Sequence, residues 1–306
     1  MKKKTTEWVG RARRARRGAR GASALPCAFL WLIIPSAFAA TDSTQLAREL
    51  AAEKDHAGAA LEYRRLALTM PTAAARGGYF WASAFESLQA GEATAADHML
   101  NRVENETPDL TNPVLLLRAD VALAARKWEE AAFFADGVLQ RTDAAREEKN
   151  LAARRLAAAE LRAGDVAAAR AGLQRAPDPA PAALAAVEGY AQGHDKKPRV
   201  GGLLGLVPGL GYVYAGEWAN ALRSVLLNSL FIFGMVNTAE HDEWGAFGVI
   251  SFFEVTWYSG SIYGGIDASQ RYNRERLDGA VRGINGPAGF APDPLKLPLI
   301  SLRFSF

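Results

Sequence analysis

KWEEAAFFADGVLQ, residues 127–140, is the stretch that decides the fold. A turn residue opens it, a small residue (Ala131) follows about five positions on, and an apolar one (Val138) stands seven further along. DHAGAALEYRRLALTMP (55–71), GEATAADHMLNRVENETP (91–108) and GDVAAARAGLQRAPDP (164–179) repeat that layout. The small residue falls at Ala60, Ala96, Ala131 and Ala169, giving spacings of 36, 35 and 38 residues. Periods in this range mean stacked helix pairs. Residues 42–192 as a whole are Ala-rich, almost free of β-branched runs and punctuated by Pro and Gly, a composition that favours helix. Small residues let the two helices of a pair approach closely. No single pair buries its apolar face alone, so neighbours must stack. A further helix, APAALAAVEGYAQ at 180–192, is placed to cap the array.

At this level the segments resemble the tetratricopeptide repeat. KWEEAAFFADGVL and GDVAAARAGL look like the family's second helix, and Pro71 and Pro108 stand where the family closes a repeat. Ala84, Ala119 and Ala157 match its small first-helix position. The family's large aromatic near the repeat start is mostly missing, and the repeat lengths vary. The resemblance covers roughly half the chain. It implies an all-α, tetratricopeptide-like solenoid of about four helix pairs over residues 41–195, with a groove for a protein or peptide partner. Carried over position by position, the family's inward-facing first-helix sites fall on Gln45, Glu49 and Glu53. They continue on Trp81, Phe85 and Gln89, then Asp120, and finally Arg154 and Arg162. Aromatics open to such a groove suit a bound peptide. The alternative for Trp81 and Phe85 is packing between neighbouring repeats.

The linker HDKKPRV (194–200) ends this region, and a membrane-associated domain is expected over 196–277. It opens on GGLLGLVPGLGYVYAGEW (201–218), a Gly-rich apolar entry, and continues in two apolar segments, Ala219–Thr238 and Trp244–Ile266. Each is long enough to cross a hydrocarbon core of about 30 Å at 1.5 Å per residue. The five residues between them, AEHDE, leave room only for a tight antiparallel turn, so a transmembrane helical hairpin is expected. Residues 278–306 are Gly/Pro-rich and expected to be an irregular tail. PGLGYVYAGEW resembles the opening of small bacterial membrane domains in which a PGxGQxYxG phrase precedes two membrane helices. Pro208, Gly209, Gly211, Tyr214 and Gly216 follow that layout, with Tyr212 in the Gln position.

Polar residues inside the apolar segments stand out, because there they are costly and face protein rather than lipid. Ser251, Glu254, Tyr258, Ser261 and Gly265 recur at spacings of 3, 4, 3 and 4, which is one helix face. Ala221, Ser224 and Asn228 form a similar stripe on the first segment. Counting outward from a turn centred between His241 and Asp242 puts Asn228 and Glu254 within about 1.5 Å in depth, which predicts a hydrogen bond between them. Gly260 and Gly264 add a small-xxx-small step for close packing.

The other end of the chain bears on location. Nine of the 36 Lys and Arg precede Ala22, against Glu7 alone, so the rest of the chain is acidic despite a formal charge of +3. No basic face with interleaved aromatics runs through the body, which argues against nucleic acid as a partner. The basic start leads into ALPCAFLWLIIPSAFAA (24–40), and a charged region, a short apolar run and Ala37-Phe38-Ala39 predict a signal peptide over residues 1–40. The repeats would then be periplasmic. Against this, Lys196, Lys197, Arg199, Arg271, Arg274 and Arg276 flank the hairpin on the repeat side, and basic flanks tend to stay in the cytoplasm. The alternative is cytoplasmic repeats on the inner membrane.

Catalytic and cofactor signatures are missing. Gly209 and Gly211 begin a G-x-G, but the third glycine of a dinucleotide fingerprint is replaced by Tyr214 and no strand precedes it. The four histidines (His56, His98, His194, His241) are scattered, and His241-Asp242-Glu243 are three consecutive residues that rarely converge on one ion. Cys27, the only cysteine, lies inside the signal. The expectation is a non-enzymatic, membrane-attached scaffold in a bacterial envelope, with no metal, cofactor or small-molecule substrate. Its partners would be a protein or peptide and membrane lipid. The alternative is a membrane-assembly or transport component whose hairpin carries the function.

Overall fold

The computed structural model describes residues 44–286, so the expected signal segment and the end of the tail lie outside the described residues. Within them the protein is all-helical, with thirteen α-helices, one 3-10 turn and no strand. The helices are α1 (Gln45–Ala52), α2 (His56–Thr69), α3 (Ala73–Gln89), α4 (Ala93–Glu106), α5 (Thr111–Ala124), α6 (Trp128–Gln140), α7 (Arg146–Ala163), α8 (Val166–Gln174) and α9 (Pro181–Gln192). They are followed by α10 (Pro198–Leu204), α11 (Leu210–Ala215), α12 (Trp218–Glu240) and α13 (Trp244–Asn285).

The breaks between helices follow from local chemistry. Asp55 and Asp165 cap α2 and α8 by accepting from the amides of Gly58 and Ala168, at 2.9 and 2.8 Å. Each satisfies one of the amides that a helix start leaves without an internal partner. Gly164 ends α7 in the left-handed region, at φ 94°, where glycine alone avoids a Cβ penalty. Proline begins α9 and α10, where its missing N–H costs nothing.

From α1 to α9 each helix packs on the one before it, and α3, α5 and α7 also touch in succession. The recurring small positions sit at these contacts: Ala96, Ala131 and Ala169 on α4, α6 and α8, and Ala84, Ala119 and Ala157 on α3, α5 and α7, are all fully buried. Seven residues after each second-helix alanine, Ala67, Val103, Val138 and Ala176 are buried too. Larger side chains fill the space between pairs. Tyr63 and Leu66 meet Ala47 and Ala82, while Leu100, Val103, Val114 and Leu117 meet Phe80 and Trp81. Each fully buried Leu or Val contributes about 1.5–3 kcal/mol from apolar burial.

The last helix departs from expectation. α13 is a single helix of 42 residues, about 63 Å long. It does not become irregular at Asp278 but continues to Asn285, because Ala280, Val281 and Ile284 are buried against Leu161, Leu173, Ala183 and Val187 of α7, α8 and α9. The described start of the segment expected as tail thus completes the core around α7, α8 and α9. At its other end α13 packs on α12, and along its middle on α10 and α11. Ser224 meets Ser261, and ten residues on, Gly234 meets Ile250, eleven residues back, so α12 and α13 run antiparallel.

Candidate functional site

The Gly-rich entry is where the two halves of the chain are joined. At the crossing of α10, α11 and α13, Gly201, Gly211 and Gly265 bring three backbones together. A Cβ on Gly265 would overlap the Gly201 carbonyl oxygen, and one on Gly211 would lie 2.6 Å from that oxygen and 2.7 Å from the Gly265 Cα. No side chain fits there. Gly264 is likewise filled by the Tyr212 hydroxyl. The G-x-G of 209–211 is therefore a helix-packing device. Gly209 sits at φ 90° against the Ala221 carbonyl, and Gly211 is one of the three contact points. Gly260, by contrast, has nothing within 4 Å of where its Cβ would stand, so the small-xxx-small step does not mark the helix contact expected of it.

Around this crossing lies a polar belt. Glu217 accepts two hydrogen bonds from Arg271, both at 2.9 Å, and one from Asn220 at 2.6 Å. The Arg271 guanidinium holds the Glu217 carboxyl below the usual carboxylate range, and Glu217 in turn raises Arg271. Asn273 fixes the linker by accepting from the Lys196 amide and donating to its carbonyl, both at 2.8 Å. The Lys196 ammonium lies 4.8 Å over Tyr214 and 5.3 Å over Tyr272. Arg276 pairs with Asp195 at 2.9 Å and stacks 4.3 Å over Tyr190. None of these pairings was singled out from the sequence.

Between α12 and α13 lie buried polar side chains, but they are not wired as the sequence suggests. Asn228 is 1% exposed and Glu254 8%. Ser224 and Ser261 are buried and 3.3 Å apart. The expected Asn228–Glu254 bond does not form: the Asn228 amide donates to the Ser224 carbonyl of its own helix at 2.7 Å. The pairing of Gly234 with Ile250 centres the turn near Asp242, which sets Glu254 about 3 Å from the depth of Asn228, twice the expected mismatch. Asn228 Oδ1, Ser251 Oγ and Glu254 Oε2 are buried with no hydrogen-bond partner among the described residues. Tyr258 leaves the seam and donates to the Leu206 carbonyl at 2.7 Å.

The nine expected groove residues do not form one open surface. Gln45, Glu49, Glu53 and Gln89 are exposed. Trp81 and Phe85 are not: they are 2% and 7% exposed, stack on each other at 5.8 Å, and Trp81 donates to the Pro113 carbonyl at 3.1 Å. The packing alternative holds for both, because α5 covers them. Asp120 pairs with Arg155 of α7 at 2.6 Å; burial pushes its carboxyl upward and the guanidinium opposes that. Arg154 donates to the Asn285 carbonyl at 3.4 Å and Arg162 pairs with Asp278 at 2.9 Å. The far end of the presumed groove is thus taken by the chain's own last helix.

Two further facts bear on what the protein does. Among the described residues, no three His, Cys, Asp or Glu side chains are grouped to hold a metal. Among the described residues only α12 combines the length and apolar composition of a membrane span, and its apolar window is mostly unburied; the first half of α13 is long enough but more polar. No family model, curated protein or solved structure matches the chain.

Proposed function

We propose that the protein is a membrane-attached, non-enzymatic scaffold: a tetratricopeptide-like array that binds a protein or peptide and is held at a bilayer by the α12–α13 hairpin. One observation carries the membrane part. From residue 44 to 202 four large apolar side chains are exposed, Leu46, Leu61, Leu68 and Phe133, whereas nineteen are exposed between Leu203 and Tyr263. Apolar surface on that scale is not left facing water. The scaffold part rests on the buried alanine period and on the exposed polar residues Gln45, Glu49, Glu53 and Gln89 of the first pairs.

Two arms test this reading. The full chain should stay with the membrane fraction through alkaline carbonate, and release there would end the hairpin assignment. Charge reversal of Glu49 and Glu53 together with Gln89→Ala should abolish partner binding, with exchange of the hairpin for an unrelated anchor leaving it intact. A second reading, a membrane-assembly or transport component, is favoured by the unpartnered Asn228, Ser251 and Glu254 oxygens. Under it the anchor exchange destroys function and the groove changes do not.

The side of the membrane has two competing indicators. The segment 1–40 argues for exported, periplasmic repeats, and the cations at the repeat end of the hairpin argue for cytoplasmic ones. Protease access to the repeats in spheroplasts decides: digestion supports export, protection the cytoplasmic arrangement.

A further inference from the structure

We propose that the cations around the helix crossing form a binding site for anionic lipid headgroups in the leaflet next to the repeats. This rests on the membrane-attached reading above. Seven cations gather at that end: Lys196, Lys197, Arg199, Arg223, Arg271, Arg274 and Arg276, against Asp195, Glu217, Asp267 and Glu275. The opposite end of the pair carries Glu240, Asp242 and Glu243, with no cation beside them. The two ends of one apolar unit therefore have opposite sign.

The cations divide by what they already hold. Arg271 is satisfied by Glu217, Arg276 by Asp195, and Arg274 lies 3.9 Å from Asp267. Among the described residues no carboxylate pairs with Lys196, Lys197, Arg199 or Arg223; Arg223 reaches only the neutral Asn220 side chain, at 3.1 Å. Lys197, Arg199 and Arg223 are exposed. They stand where the outward apolar surface begins, beside Leu203, Leu206, Trp218 and Leu222, which are exposed as well. Arg223 lies about one and a half turns past Trp218, where a long stem lies along apolar surface while the guanidinium reaches back to the headgroup layer.

The backbone beneath these groups is held in place. Asn273 clamps both polar groups of the Lys196 peptide, the Tyr214 hydroxyl accepts from the Lys197 amide at 3.0 Å, and Asn220 links Arg223 to the Glu217–Arg271 pair. A positioned set of unpaired cations at the rim of a hydrocarbon-facing surface matches a phosphate attached to acyl chains better than a free one. The acyl chains lie on Leu203, Leu206 and Leu222 while the phosphate meets Lys197, Arg199 and Arg223.

The test uses the purified full chain reconstituted into phosphatidylcholine nanodiscs, with and without phosphatidylglycerol. Bound lipid is then identified by native mass spectrometry. Phosphatidylglycerol is expected to be retained in preference to phosphatidylcholine, and millimolar inorganic phosphate should not displace it. The triple variant Lys197→Gln, Arg199→Gln, Arg223→Gln should lower that preference by about tenfold or more, as the loss of three charges near an anionic surface implies. Glu240→Gln with Glu243→Gln, at the other end, should leave it unchanged. Equal retention of the two lipids by the unaltered chain, or an undiminished preference in the triple variant, overturns the proposal. Displacement by inorganic phosphate overturns the lipid as the ligand. A chain that enters neither bilayer overturns the membrane reading itself, and this proposal with it.

Discussion

The array α1–α9 and the unit α10–α13 are both all-helical and both use small residues at their helix contacts, yet they turn their large apolar side chains opposite ways. In the array the small residue is alanine, the helices keep their side chains between them, and large apolar groups point inward. In the unit the contact residue is glycine, three backbones touch directly, and large apolar groups point outward. On the proposed membrane-attached reading, the difference follows from the driving force. In water, burying Leu and Val holds helices together, so they need side chains in the interface. Next to lipid, burial of apolar groups gains nothing, so close backbone packing and polar contacts must do the joining.

The largest effect should come from attacking the glycine crossing. Gly265→Val places side-chain atoms into the Gly201 and Gly211 backbones, neither of which can rotate away. The loss in detergent unfolding experiments should reach or exceed the ~1–3 kcal/mol of ordinary overpacking. Gly260→Ala, five residues away in open space, should be nearly silent. Equal effects at the two glycines would erase the distinction drawn here.

The array should respond next. Ala131→Leu or Ala169→Leu overpacks fully buried contacts between paired helices and should cost about 1–3 kcal/mol, read as a lower melting temperature by circular dichroism. Side-chain packing in a helix pair can partly adjust, whereas touching backbones cannot, which is why this effect ranks second. Unchanged melting in both variants would break the repeat assignment.

The polar belt offers a pH test. Glu217 has a folded pKa below its unfolded value, so its contribution is present above the unfolded value and is lost as pH falls through the folded one. Both partners are partly exposed, so Glu217→Gln should cost only about 1 kcal/mol at pH 7. The gap between variant and parent in unfolding midpoint should close on acidification through the carboxylate range. A gap independent of pH would mean the pair does not join α12 to α13 electrostatically.

The smallest effect is expected in the seam. Glu254→Gln keeps a donor and an acceptor of the same shape in place of the carboxyl, so a structural role predicts little change in melting. Loss of function with unchanged melting would instead mark the hairpin as the working part.

Much of this was legible in the residues. The alanine period gave the helix pairs, because small residues at helix contacts recur with the length of the pair. The shift from Ala-rich segments to continuous apolar ones was visible near 196, where the exposed large apolar side chains begin at Leu203. The polar stripes of Ser224, Asn228, Glu254 and Ser261 were visible as helix phase, which depends only on local geometry. What the pattern could not determine were relations between distant segments. A helix face can be read as apolar without revealing which neighbour covers it, so groove and packing both stayed open for Trp81 and Phe85 until α5 was placed over them. Likewise, the register of α12 against α13 depends on the turn at Asp242 and on glycine contacts that no periodicity encodes. The last decision belongs to the end of α13. Ala280, Val281 and Ile284 become core only because a helix of about 63 Å carries them back to the array, and that is a property of the assembled fold.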